Sequence, residues 1–181
     1  MFNRIFALCL CLTLCGQGLS LGCRWMDHKF SQQSKSALDE LRTMVGGLIY
    51  ANSSGVDFPT GLYEQASQAS AEDRLNFMAQ VLEEVVHLFE EDWDSMPWPE
   101  TTVNNFLSVV NQQEEGVRSC IVNQGKKSKK LHMYFKRLSR HVLKDMGHSS
   151  EAWELMRKEI EAHLLRIDIL FSPLQINSKK A

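Results

Sequence analysis

Residues 149 to 171 carry two apolar stripes on one predicted helix, and that doubling limits what the chain can fold into. Trp153, Met156, Ile160, Leu164, Ile167 and Phe171 recur at spacings of three and four. At 100° per residue they span about 80° of the helix circumference. Leu155, Ala162, Leu165 and Ile169 gather on the opposite side, beside Lys158, Glu161 and Arg166. One stripe is enough to seat a helix on a core. The second needs another surface, either the protein's own long loop or a partner.

The remaining helical periods are single. Leu38, Leu41, Val45 and Leu48 predict a first helix over 31–46, stopped by Gly46-Gly47. Residues 48–70 hold no sustained period and read as one long loop containing Asn52, Ser53, Ser54, Gly55, Pro59 and Gly61. Ser70-Ala71-Glu72-Asp73 reads as a capping box before Leu75, Met78, Leu82, Val85 and Phe89, the most regular stripe in the chain. Pro99 suits the first turn of a third helix, with a bend expected at 112–116 and an end near Gly125. A fourth is predicted over 129–146, then a short turn at Gly147, a Ser149 or Ser150 cap and the last helix, with a frayed polar tail from Ser172. No segment alternates with period two. The fold class is all-α, one bundle of about five main helices.

An apolar run from Ile5 to Leu14, after Arg4 and before the small residues Ser20 and Gly22, reads as a secretory signal peptide over 1–22. The competing reading is a buried N-terminal helix. Cleavage leaves 23–181 as a single domain with 19 basic and 22 acidic residues, a net charge of −3 that argues against a general nucleic-acid or membrane binder. It also removes three of the five cysteines, leaving Cys23 and Cys120. An even pair in an oxidising compartment reads as a disulfide, and closing a loop of roughly 100 residues stabilises by up to about 4.7 kcal/mol. The rival, a free or metal-bound thiol, has no Cys/His spacing behind it. Asn52-Ser53-Ser54 is a glycosylation sequon.

No phosphate loop, nucleophile elbow, HExxH or metal-ligand spacing occurs. Glu84-Val85-Val86-His87 supplies one Glu-x-x-His element where a di-iron bundle needs two. No cofactor and no enzymatic activity are expected. Charge is uneven: residues 83–94 hold six acids and no Lys or Arg, and residues 126–144 hold eight basic residues and no acid. Acids at the end of the second helix oppose its dipole and invite a basic partner from 126–144. The dense run Lys126, Lys127, Lys129 and Lys130 reads either as a solvated loop and helix start or as a site for sulfated glycans and anionic surfaces.

Three further stretches carry a resemblance. Ala152-Trp153-Glu154 with Arg157 and Glu159-Ile160, Asp57-Phe58-Pro59 with Leu62-Tyr63, and Ser119-Cys120-Ile121-Val122-Asn123-Gln124 together resemble the type I interferons, most closely the two-cysteine interferons of teleost fish. The resemblance implies a helical cytokine bundle of the up-up-down-down type with long crossover loops, and a pairing of Cys120 with Cys23. It implies two class II cytokine receptor chains, one on the last helix with the first helix and long loop, the other over the second, third and fourth helices, and JAK–STAT antiviral signalling. Arg157 falls on a receptor-contacting arginine of the family; Lys158 and Glu161 occupy neighbouring contact positions, and Leu62 and Tyr63 lie in the family's first loop. Trp153 matches a core position. A second family disulfide is absent, Ser150 and Glu151 standing there, and no Lys or Arg lies between Arg42 and Arg74. The receptor face is therefore expected to be apolar, with Leu155, Leu165 and Ile169 as its outer stripe and Arg157, Lys158 and Glu161 as its rim. The alternative function is a glycan- or membrane-binding helical protein acting through 126–144.

Overall fold

The computed structural model describes residues 25–44, 54–90 and 93–178, with backbone alone at 27 and 173–178. Helix α1 (Ser31–Thr43) is preceded without a break by one π-helical turn, Met26–Phe30. Then come α2 (Thr60–Gln68), α3 (Ala71–Glu90), a 3-10 turn at Trp93–Ser95, α4 (Glu100–Ser119), α5 (Lys129–Leu138) running into a π-helical segment Ser139–Lys144, and α6 (Ser150–Ser178). No strand occurs among the described residues.

Local chemistry sets most of the ends. The Ser70 hydroxyl oxygen accepts from the Asp73 N–H at 3.1 Å, which is the N-cap half of a capping box, and the hydroxyl donates to the Asp73 carboxylate at 2.7 Å. Ser128 caps α5 by accepting from the Leu131 N–H at 3.3 Å. Gly147 and His148 take left-handed φ of 63° and 55°, which ends the π segment, and Ser149 accepts the Ala152 N–H at 3.2 Å to start α6. The helix at α4 is unbroken across 112–116. Helix α6 runs to Ser178 rather than fraying at Ser172, with Pro173 inside it.

The 48–70 segment is not all loop. Its second half is α2, which has few apolar residues and is held by burying Tyr63 and Ala66. Helix α1 packs against α4 and α6, and α3 against α4, α5 and α6, so α6 lies at the centre with α1, α2, α3 and the π segment around it. Around Trp153, fully buried, the Phe89 and Trp98 rings sit at 5.9 and 5.8 Å, and the indole N–H donates to Ser95 at 3.2 Å. Burying such rings supplies much of the driving force for the bundle.

The α4–α5 connection is fastened along α3. Asn76 accepts the Gly125 N–H at 3.0 Å and donates to the Asn123 carbonyl at 3.3 Å. One turn on, Gln80 accepts the Ser128 N–H at 2.7 Å and donates to the Ser128 carbonyl at 3.1 Å. Each side-chain amide stands in for a backbone partner that the loop lacks. Lys127 then meets Glu83 at 2.5 Å, and His132 meets Glu84 at 3.1 Å. The basic segment does find acids on this helix, at Glu83 and Glu84 in its body. Burial pushes the Glu83 carboxyl up, but Lys127 and Arg118 outweigh it and hold it below its ordinary value.

Candidate functional site

The two stripes of the last helix part company along its length. Residues 152–157 are all buried, Leu155 among them at 5 % exposure. Six consecutive residues cover every side of a helix, so α6 is enclosed within the chain over 152–157, after two exposed residues at its start. Leu155 is therefore not part of an outer stripe. Further on, Lys158, Leu165, Arg166 and Ile169 are exposed, Leu165 at 43 % and Ile169 at 60 %. Leu165 and Ile169 are one turn apart and share a face with Lys158.

Arg157 also departs from its expected rim position. Its guanidinium donates two bonds to the Glu154 carboxylate, Nε at 2.9 Å and Nη2 at 2.8 Å, and both side chains are under a tenth exposed. The fork matches a carboxylate's two oxygens, and the pair raises the guanidinium pKa above its ordinary value. Nη1 reaches Glu161 at 3.4 Å, and Glu161 in turn receives Arg42 of α1 at 2.9 Å. The charged line thus surfaces at Arg42 and Glu161, beside Lys158 and Leu165, and Arg157 is its buried anchor.

Tyr63 is buried too, at 3 % exposure, and its hydroxyl lies 2.6 Å from Nδ1 of fully buried His163. Nε2 of His163 lies 3.2 Å from the Tyr134 hydroxyl, which donates to Glu159 at 3.2 Å, and Ser54 donates to the same carboxylate at 2.8 Å. Proton counting orders this chain. Because Tyr134 gives its one proton to Glu159, its oxygen accepts from Nε2–H, which leaves Nδ1 to accept from Tyr63. Burial drives the His163 pKa down to about 3 and keeps the ring neutral, as that tautomer requires. Phe58 packs on Tyr63 and His163 with ring centroids at 5.4 and 4.7 Å. Residues of the long loop, α2, α5 and α6 are locked together here, and Leu62 beside them is half-buried. Sequence reasoning missed this constellation, since a histidine at one helical spacing from others carries no sign that two tyrosines will converge on it.

Cys120 is buried at the end of α4; its expected partner Cys23, the sequon residue Asn52 and the 1–22 leader lie outside the described residues. Lys126, Lys129 and Lys130 are exposed. No group of His, Cys, Asp and Glu suited to a metal ion occurs among the described residues, Glu84 being engaged by His132. No helix described is long and apolar enough to cross a membrane.

A family model for the interferon alpha/beta domain matches residues 26–174. Interferon a3 of Oncorhynchus mykiss is 36 % identical over 163 residues, 90 % of this chain and 93 % of that protein. Interferon alpha-1/2 of Canis lupus familiaris is 26 % identical, covering 86 % and 87 %. Among solved structures, zebrafish interferon 1 superposes with a TM-score of 0.68 at 25 % identity, over 83 % of this chain and 98 % of that one.

Proposed function

Because the chain belongs to the interferon alpha/beta family, we propose that it is a secreted cytokine that joins two class II cytokine receptor chains at the cell surface and so starts JAK–STAT signalling and antiviral gene expression. Members of the family are cytokines and not enzymes, and its fold is the helical cytokine bundle. Entry into the secretory route rests on the leader 1–22, with Asn52 as the glycan acceptor. The Cys23–Cys120 disulfide is supported by Trp25, whose ring lies directly on Gly116, one turn before Cys120.

The observation that carries the receptor reading is the exposed Leu165/Ile169 pair on α6. It is bordered by Lys158 and by Glu161 with its ion-pair partner Arg42 of α1. An apolar centre with a charged border is how protein interfaces are built. The loop supplies no base to this side; Tyr63 holds α2 against α6 through its bond to His163, and Leu62 is half-buried. Burying one leucine is worth about 1.5–3 kcal/mol. Leu165→Asp should therefore weaken the higher-affinity receptor chain by well over tenfold, with unfolding midpoint unchanged because the side chain is exposed. A Leu165→Asp, Ile169→Asp double variant that folds and still induces a reporter at wild-type doses would refute this site. Deleting each candidate receptor chain from reporter cells tests the two-chain requirement separately.

A further inference from the structure

Helix α5 and the π segment after it present a second surface, opposite in chemistry to the Leu165/Ile169 face. Lys129, Lys130, Met133, Lys136, Arg137 and Arg140 are all exposed, and at 100° per residue they fall within about 120° of the helix circumference. Five of the six are cations, and none of these five has an ion-pair partner among the described residues. Several cations outside the stripe are paired: Lys127 and Arg118 meet Glu83, Arg42 meets Glu161, and Arg157 meets Glu154. Lys29, Lys35, Lys126, Lys158 and Arg166 also stand without an ion-pair partner among the described residues, so the stripe is set apart by its density on one face.

The arrangement costs the isolated protein something. Lys129 and Lys130 sit in the first turn of α5, where the helix dipole disfavours cations, and that turn holds no acid of its own. Lys136 and Arg140 are four apart and repel one another. An anion laid along the stripe relieves both. Beside it opens a groove of about 490 Å³, with Lys129, Lys130 and Arg137 at its edge, Met133 and Tyr134 on one wall and Pro59 and Leu62 on the other. Met133 is itself half exposed, at 51 %. The stripe is about 16 Å long from 129 to 140 at 1.5 Å per residue.

We propose that this stripe and groove bind a sulfated glycosaminoglycan. Spaced sulfates match the line of cations, and the apolar face of a sugar ring fits against Met133 and Leu62. A nucleic acid is disfavoured because the stripe offers no exposed aromatic ring on which bases could stack. The one acid in the groove, exposed Asp57, opposes the ligand and supplies a test of opposite sign.

The experiment uses the full secreted protein on immobilised heparin at physiological salt. Lys129→Gln/Lys130→Gln/Arg137→Gln should weaken binding roughly tenfold or more and flatten its salt dependence. Lys29→Gln/Lys35→Gln/Arg166→Gln, which removes the same charge elsewhere, should change it little, and Asp57→Asn should tighten it. Equal loss from both triple variants, or equal retention on desulfated heparin or a single-stranded oligonucleotide, overturns the proposal in favour of unspecific ion exchange. Reporter signalling in cells that make no sulfated glycans gives the remaining arm. The α5 triple variant should signal normally there; loss of signal would reassign the stripe to a receptor chain.

Discussion

At His163 the ring has a hydrogen-bond partner on each nitrogen and no contact with solvent. Its folded pKa is about 3 against 6.5 for the free side chain. Above pH 6.5 the ring is neutral in folded and unfolded chains alike, and its contribution to stability is complete. As the pH falls from 6.5 towards 3, only the unfolded chain takes up the proton, and stability declines by about 1.4 kcal/mol per pH unit. His163→Gln, whose amide also offers one acceptor and donors, should lower stability at neutral pH and flatten this decline. Urea unfolding of both proteins across the window measures it; parallel curves would show that His163 does not titrate between the two states. Burial likewise pushes the Tyr63 hydroxyl pKa far above its ordinary value, so it stays a donor throughout.

At the scale of elements, Trp25, just ahead of the N-terminal π turn, makes one close approach to α4. A Cβ built on Gly116 of α4 would overlap the Trp25 ring. Trp25 packs edge-on to Phe30 at 6.3 Å, and Phe30 reaches Phe171 of α6 at 4.2 Å. In an ordinary helix interior Gly→Ala stabilises by about 1 kcal/mol. Here the added methyl displaces an indole, and Gly116→Ala should destabilise by about 1–3 kcal/mol. Adding Trp25→Ala to Gly116→Ala should recover part of that loss, since the clash is gone. A Gly116→Ala protein more stable than wild type, by thermal or urea unfolding, would mean the indole does not rest there.

Over the whole molecule, the helices with a single clean stripe were legible from spacing alone, as Leu75 to Phe89 illustrates. Helix α2 was not, because Gly61 and a run of small polar residues conceal it, and only Tyr63 meeting His163 makes it worth forming. The π segments at Met26–Phe30 and Ser139–Lys144 have no counterpart in residue type. Arg157 was set on the rim by its match to a receptor-contacting arginine of the family, and an arginine three residues after a glutamate reads the same whether the pair is at the surface or, as here, enclosed. The apolar surplus on α6 was real, but it served both readings in turn, burial within the chain up to 157 and exposure beyond. That division assigns substitutions along one helix to two different assays. Before position 158 they are read in secreted yield and melting temperature: Arg157→Ala strands the Glu154 carboxylate and should cost about 3 kcal/mol. From 158 onward, on the outer side, they are read in potency: Lys158→Ala should leave yield intact and shift the dose-response curve. A scan of α6 showing no break between the two positions would contradict it. Potency could then be tuned, up or down, by library selection on a few outer positions without rebuilding the scaffold that presents them.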